Sequence, residues 1–151
     1  MSAETAAAFE AFRWGLFLDG VTDLAPEAAT ALAARAGYLS LDGLTSLSDG
    51  TAAILAAHEG ELSLSGIHEL SAELATALAR HEGDLYLDGV ATLAPDAAAA
   101  LARHRGDISL HGLRQISADA AKSLGSHDGG LLLDGLPSVS YTHLRAHETR
   151  E

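Results

Sequence analysis

The hydrophobic residues of this chain follow two alternating periods. Short segments alternate apolar and polar residues, as in Leu39-Ser40-Leu41, and longer segments carry Leu and Ala at a spacing of about 3.6, as in 72–79. A period of two places alternate side chains on one face of a strand, whereas a period of 3.6 places them along one side of a helix. The pattern therefore predicts short strands that alternate with short helices.

A 23-residue repeat underlies this alternation. The segment 39–44 has close counterparts that begin at residues 16, 62, 85, 108 and 131, and each has Gly at its fifth position. One unit is too short to bury its own apolar face, so units must pack on their neighbours. We predict a single repeat domain over residues 2–138. It comprises a half-unit (2–15), five units (16–38, 39–61, 62–84, 85–107 and 108–130) and a partial unit (131–138).

Local signals predict where the helices begin and end. Ser48, Ser71 and Ser117 stand at N-cap positions, and Pro26 and Pro95 stand where the first helical residue belongs. A glycine late in each unit is expected to cap the helix C-terminus. These glycines are Gly37, Gly60, Gly83, Gly106 and Gly129. The Gly at the fifth position, which follows Asp in most units, is expected to adopt a positive φ in a turn.

The pattern Leu-x-Leu-Asp-Gly-Leu-x-x-Leu, followed by an alanine-rich helix, resembles the 23-residue leucine-rich repeats of bacteria. The likeness covers about residues 2–138. It implies an α/β right-handed solenoid with a parallel β-sheet on the concave face, short α-helices on the outer face, and protein or ligand binding on the sheet. The chain departs from that family at one position: Asp-Gly-Leu stands where the family has an Asn that forms a ladder through the interior.

The two ends depart from the repeat. Residues 2–15 match only the helical half of a unit, and residues 139–151 match nothing in the repeat. The string from Val139 to Thr149 resembles the translation of an adapter used in sequencing libraries, so we expect 139–151 to be a non-native or disordered tail; a native tail is the alternative. The array is expected to be a fragment of a larger protein whose uncapped ends promote self-association.

Charge and composition narrow the classes of partner. The net charge is −12, and an anionic surface repels phosphate backbones and anionic lipids, so neither nucleic acid nor membrane is expected as a partner. The charge also keeps an alanine-rich protein in solution, which is the alternative explanation. The chain contains no Cys, which excludes disulfides and thiolate metal sites.

The second and fourth positions of each unit are expected to be exposed on the sheet face. They supply the predicted binding residues Phe17, Asp19, Asp42, Tyr86, Asp88, His111 and Asp134. Phe17 and Tyr86 lie three units apart, about 14 Å at the spacing of strands, so one pocket cannot contain both. Each Asp is expected to accept a hydrogen bond from a turn amide one or two residues further on; a cationic partner surface or Ca²⁺ is the alternative.

Four histidines share one position near the end of the predicted helices: His58, His81, His104 and His127. A metal ion bridging neighbouring imidazoles is conceivable, but Arg35 takes the same position in another unit, which argues against a metal ladder. The simpler interpretation is a partly exposed His that covers the end of its helix and interacts with the helix dipole.

These observations predict a binding scaffold for a protein or peptide, without cofactor or metal and without enzymatic activity. No nucleophile motif, phosphate-binding loop or dinucleotide fingerprint occurs in the chain. The alternative from another class is a structural spacer or self-associating surface repeat. A third hypothesis is a metal-binding protein or enzyme built on the His or Asp columns. The cellular compartment is not indicated.

Overall fold

The computed structural model describes residues 1–9 and 14–136. Six short helices occur in this part of the chain: α1 (Ala3–Ala7), α2 (Pro26–Ala33), α3 (Asp49–Leu55), α4 (Ala72–Leu78), α5 (Pro95–Leu101) and α6 (Ala118–Leu124). Eight two-residue strands accompany them: β1 (Leu16–Phe17), β2 (Leu39–Ser40), β3 (Leu62–Ser63), β4 (Leu85–Tyr86), β5 (Thr92–Leu93), β6 (Ile108–Ser109), β7 (Gln115–Ile116) and β8 (Leu131–Leu132). The expected tail, 139–151, lies outside the described residues.

Six strands form one parallel sheet in the order β1-β2-β3-β4-β6-β8. Each strand pairs with the corresponding residues of the next unit, so that Leu16 lies opposite Leu39 and Leu39 opposite Leu62. The remaining pairs keep this 23-residue register, which confirms the predicted ladder. The chain is an α/β protein in which the strands of this parallel sheet alternate with helices.

A second parallel pair, β5 with β7, was not predicted. It aligns Thr92 with Gln115 and Leu93 with Ile116, again at the 23-residue offset, and Arg114 N–H donates to the Ala91 carbonyl. The paired segments are two residues long, which is too short for a hydrophobic period to reveal.

The helices begin where the sequence predicts. Ser48, Ser71 and Ser117 are N-caps whose hydroxyls accept a hydrogen bond from the backbone N–H three residues on. Pro26 and Pro95 are the first residues of α2 and α5, whose N-cap residues make no such side-chain bond. Helices of five to eight residues are marginal by themselves, so packing on their neighbours must stabilise them.

Both expectations for the glycines are wrong. The helices end several residues before the late glycines, at αR C-caps such as Ala56, so Gly60 is not a helix cap. Among the described residues only Gly37 and Gly60 have a positive φ, and the fifth-position glycines do not. A Cβ on Gly43 would overlap the Asp19 carbonyl of the preceding unit. Close backbone approach between units, not a left-handed turn, therefore selects Gly at this position.

The core lies between the sheet and the helices. In the four inner strand segments the first and third residues are fully buried, as Leu39, Leu41 and Leu64 illustrate, and they share one cluster with helix residues such as Leu55 and Leu78. Burial of a Leu side chain stabilises the fold by about 1.5–3 kcal/mol. Each helix also packs on the next helix along the chain. Within the described residues, no helix has the length and apolarity that a membrane crossing requires.

Candidate functional site

The face of the six-stranded sheet opposite the core carries three parallel columns of side chains, which we call the strand face. The pre-strand column comprises Tyr38, Glu61, Asp84 and Asp107. The strand column comprises Phe17, Ser40, Ser63, Tyr86, Ser109 and Leu132. The post-strand column comprises Asp19, Asp42, Ser65, Asp88, His111 and Asp134. Alternation along each strand segment places these residues opposite the buried first and third positions.

The strand column is only partly exposed. Phe17 and Leu132 are 67% and 44% exposed, as expected, but Ser40, Ser63 and Ser109 are buried. The expectation that every second position faces solvent is therefore wrong for these serines. Small hydroxymethyl groups lie beneath the larger neighbouring side chains of the face and donate their hydrogen bonds to carboxylates beside them.

Tyr38 connects the two aromatic residues that the sequence treats as separate. Its ring centroid lies 5.2 Å from that of Phe17 and 6.2 Å from that of Tyr86, the latter in a T-shaped contact. Phe17, Tyr38 and Tyr86 therefore form a continuous aromatic strip across the units that carry Ser40 and Ser63. Rings at these separations attract each other beyond simple area burial.

Tyr38 was not among the predicted binding residues, although a signal for it was present. It precedes β2 directly, so it is two positions from Ser40 and projects from the same face. In each unit, the residue just before the strand lies on the same face as the second and fourth positions, so the alternation alone predicts the whole pre-strand column. The aromatic strip also affects an ionisable group: burial raises the pKa of Tyr86, with smaller contributions from the carboxylates of Glu61 and Asp84 and from Tyr38.

The aspartates of the post-strand column bond to the next unit instead of their own turn. Oδ1 of Asp42 accepts from Ser63 Oγ at 2.6 Å and from the Ser65 N–H at 2.8 Å. Asp19 accepts in the same way from Ser40 Oγ and the Asp42 N–H, and Asp88 from Ser109 Oγ and the His111 N–H. The prediction of a local turn bond is wrong, because parallel stacking brings the next unit's amide closer.

The pre-strand column continues the same principle. Oδ1 of Asp84 accepts from the Asp107 N–H at 3.0 Å, and Oδ1 of Asp107 accepts from the Gly130 N–H at 2.8 Å. Each carboxylate thus satisfies a backbone donor of the following unit through one oxygen. The second oxygen of each accepts no hydrogen bond within the described part of the chain and is available to an external donor.

The strand face carries little positive charge. Among the described residues no Lys or Arg belongs to its three columns. His111 is the exception among titratable bases: its Nε2 lies 3.6 Å from Asp134 Oδ2, and the two side chains form an ion pair only when the imidazole is protonated. Of the predicted binding residues, Asp19, Asp42 and Asp88 therefore belong to hydrogen-bond ladders, whereas His111 and Asp134 face each other at the β8 end of the sheet.

The four histidines form a column of stacked rings. Neighbouring centroids lie 6.0–6.2 Å apart with planes within 5–13° of parallel. His58, His81 and His104 are buried, so the expectation of partial exposure is wrong for these three. His58 Nε2 donates to the Gly37 carbonyl at 2.7 Å, which joins successive units. Burial lowers the pKa of His58, His81 and His104.

The histidine geometry does not suit a bridging metal. Zn–N bonds of about 2.0–2.1 Å need nitrogens about 4 Å apart, and parallel rings 6.0–6.2 Å apart do not offer them. Within residues 1–9 and 14–136, no group of three or more His, Cys, Asp or Glu side chains could hold a metal ion. Arg35 occupies the equivalent position in its unit, where its guanidinium donates to the carbonyls of Tyr38 and Trp14.

The class that the fold defines is an α/β protein with a parallel six-stranded sheet, and the candidate site is an acidic strand face crossed by an aromatic strip. No family model matches the chain. No curated protein matches it with significance either. The resemblance to leucine-rich repeats therefore rests on the residue pattern alone.

Proposed function

We propose that the chain is a right-handed, leucine-rich-repeat-like solenoid with its sheet on the concave side, and that its strand face binds a protein or peptide. The constant 23-residue register supports the solenoid, because every strand pairs with the same positions of the next unit. Packed helices prefer a separation of about 8–10 Å, whereas neighbouring strands lie about 4.8 Å apart. This difference bends such a stack toward its sheet.

The aromatic strip is the observation that carries the binding function. Phe17 is 67% exposed on a face whose remaining residues are mostly polar, and Tyr38 and Tyr86 extend its apolar surface. Exposed aromatic side chains on a rigid element are common anchors of interfaces. Covering on the order of 100 Å² of this surface contributes about 2.5 kcal/mol, which is enough to change affinity by nearly two orders of magnitude.

The alternative is a structural spacer or a surface that associates with further copies of itself. Within the described residues, β1 pairs only with β2, and β8 pairs only with β6. Unpaired strand edges favour association between chains. The aromatic strip starts on the edge strand β1 but runs across the face of the sheet as far as β4, which favours a partner that covers the face over edge-to-edge self-association.

The test uses the full chain and three ten-residue peptides. The peptides share two leucines and four serines and differ in the other four residues, which are arginine, glutamine or glutamate. We expect at least one peptide to shift the backbone amide signals of β1 to β4 in NMR titration. Phe17→Ser and Tyr86→Ser introduce the residue that Ser40 and Ser63 already provide at this position, and each should weaken binding about tenfold, the equivalent of about 1.4 kcal/mol.

Arg103→Ala is the control, because Arg103 lies just after α5, away from the strand face. It should leave peptide affinity unchanged. Absence of binding by all three peptides, or binding that survives both serine substitutions, would overturn the proposal. Concentration-dependent sedimentation that disappears in Phe17→Ser would instead assign the strip to self-association and would also overturn it.

A further inference from the structure

Two rows of carboxylates flank the strand column, and the pre-strand row begins one unit beyond Tyr38, which lies in the pre-strand column. Glu61, Asp84 and Asp107 form the row on the pre-strand side. Asp19, Asp42, Asp88 and Asp134 form the row on the post-strand side. Members in neighbouring units are one strand spacing apart, about 4.8 Å, which is close enough for strong mutual repulsion. Backbone or serine donors bind Asp19, Asp42, Asp84, Asp88 and Asp107 but add no net positive charge.

The aromatic strip suits a cationic side chain that also has an apolar alkyl portion. Aromatic faces attract ammonium and guanidinium groups, and the alkyl stems of Lys and Arg pack on apolar surface. Tyr86 lies on β4 two residues after Asp84, and β4 pairs with β3, which Glu61 directly precedes, so both carboxylates stand in the column next to the Tyr86 ring. A cation over this ring therefore meets the π face and two carboxylates together.

A bare metal ion is a poorer fit than a polyatomic cation. Ca²⁺ requires six to eight oxygens around one point. The carboxylates of the strand face are spread along two rows, and no cluster of three or more potential ligands exists in the part of the chain that the structure describes. Separate positive charges spaced along an extended chain match separate carboxylates spaced along the sheet.

We infer that the partner segment is an extended peptide rich in Arg or Lys, whose cationic side chains lie on the Phe17–Tyr38–Tyr86 strip beside the two carboxylate rows. This inference rests on the proposed function and specifies its partner. The distance from Phe17 to Tyr86 spans three units, about 14 Å, which four or five extended residues cover. Successive residues of an extended segment point to opposite sides, so cationic residues at neighbouring positions would reach both rows.

The three peptides of the previous experiment decide between partner classes. The arginine peptide should bind the full chain at least tenfold more tightly than the glutamine peptide, and the glutamate peptide should not bind. Raising NaCl from 50 to 500 mM should weaken the arginine complex by tenfold or more, because salt screens exposed charges. Fluorescence anisotropy of labelled peptides gives these affinities.

The double variant Asp84→Asn with Asp88→Asn tests the carboxylate rows directly. Asn keeps the oxygen that accepts from the Asp107 and His111 amides, so the ladders survive while two charges disappear. We expect about tenfold weaker binding of the arginine peptide and unchanged binding of the glutamine peptide. Glu27→Gln with Asp96→Asn removes the same charge from the exposed first turns of α2 and α5 and should have little effect.

Each further outcome separates the two proposals. Equal affinity for the glutamine and arginine peptides would leave the binding function standing and overturn the cationic partner. Failure of all three peptides would overturn both. Equal loss of affinity in the control variant, Glu27→Gln with Asp96→Asn, would show that total charge, not the two rows, attracts the peptide. Complete competition by spermine at equal charge would lead to the same conclusion. Either result overturns the inference.

Discussion

Ser63 donates a hydrogen bond of 2.6 Å to Oδ1 of Asp42, which belongs to the preceding unit. The same oxygen accepts from the Ser65 amide, so one carboxylate joins a side chain and the backbone of the following unit. Asp19 and Asp88 repeat the arrangement. Aspartate and serine thus supply the connection between units that an interior Asn ladder supplies in the family this pattern resembles.

The Asp42 ladder should respond to the loss of an acceptor more than to the loss of a charge. Asp42→Ala removes the acceptor of the Ser65 amide and leaves the buried Ser63 hydroxyl only the Ser65 hydroxyl, 3.4 Å away, so it should lower the free energy of unfolding by about 1–3 kcal/mol. Asp42→Asn keeps an acceptor oxygen and should cost less than half as much. Urea denaturation followed by circular dichroism measures both, and equal losses would show that the ladder contributes through charge.

Gly43 should be far less tolerant of a methyl group than Gly20, although both occupy the fifth position of a unit. A Cβ on Gly43 meets the Asp19 and Val21 backbone, whereas a Cβ on Gly20 meets no atom within 4 Å. Gly43→Ala should reduce stability by about 1–3 kcal/mol, as overpacking does. Gly20→Ala, the matched control, should be neutral or stabilising by about 0.4–1 kcal/mol. Thermal melts of the two variants that coincide would contradict close approach between units.

The buried histidine column should make stability depend on pH. Burial lowers the pKa of His58, His81 and His104 below the unfolded value of about 6.5. The unfolded chain therefore binds more protons than the folded chain below that pH. Above about pH 6.5 these residues are neutral in both states and protonation does not lower the free energy of unfolding. As the pH falls from there toward the folded pKa values, the free energy of unfolding falls by up to about 4 kcal/mol per pH unit for three protons.

The groups that face the histidine column do little to stabilise a protonated imidazole in the folded chain. His58 lies near the Arg35 cation, and His81 and His104 lie near one another, so protonation adds like charges; the opposing groups are backbone carbonyls such as that of Gly60. His81→Gln should reduce the slope of unfolding free energy below about pH 6.5 by up to about 1.4 kcal/mol per pH unit, the limit for one proton. His68 is exposed and outside the column, so His68→Gln is the control. An unchanged slope in His81→Gln would refute the prediction.

The contribution of an N-cap serine can be tested at equivalent positions of two helices, α4 and α5. Ser71 caps α4 through the Leu74 amide at 3.1 Å, whereas Ala94, its counterpart before α5, makes no side-chain bond. Ser71→Ala should cost about 1 kcal/mol, and Ala94→Ser should stabilise the protein by a fraction of that amount because Pro95 already pre-organises the first turn. Chemical denaturation compares the two, and unchanged stability in Ser71→Ala would show that the cap hydroxyl does not contribute.

Much of the local structure was predictable because its causes lie within a few residues. The hydrophobic periods, the N-caps at Ser48, Ser71 and Ser117 and the prolines at the start of α2 and α5 depend on near neighbours in sequence. The register of the parallel sheet was also predictable, since equivalent positions of successive units have identical burial requirements. The β5–β7 pair was not, because two residues carry no readable period.

The sequence by itself determined the alternation of strands and helices, the 23-residue register and the acidic character of the exposed positions. Tertiary structure alone decided which groups meet across units: Asp42 with Ser63, Gly43 against the Asp19 carbonyl, and Tyr38 between Phe17 and Tyr86. The physical reason is the separation between stacked parallel strands. At about 4.8 Å it brings neighbouring units closer than a residue is to most of its own unit, so contacts across the stack replace the local turn contacts that the sequence suggests.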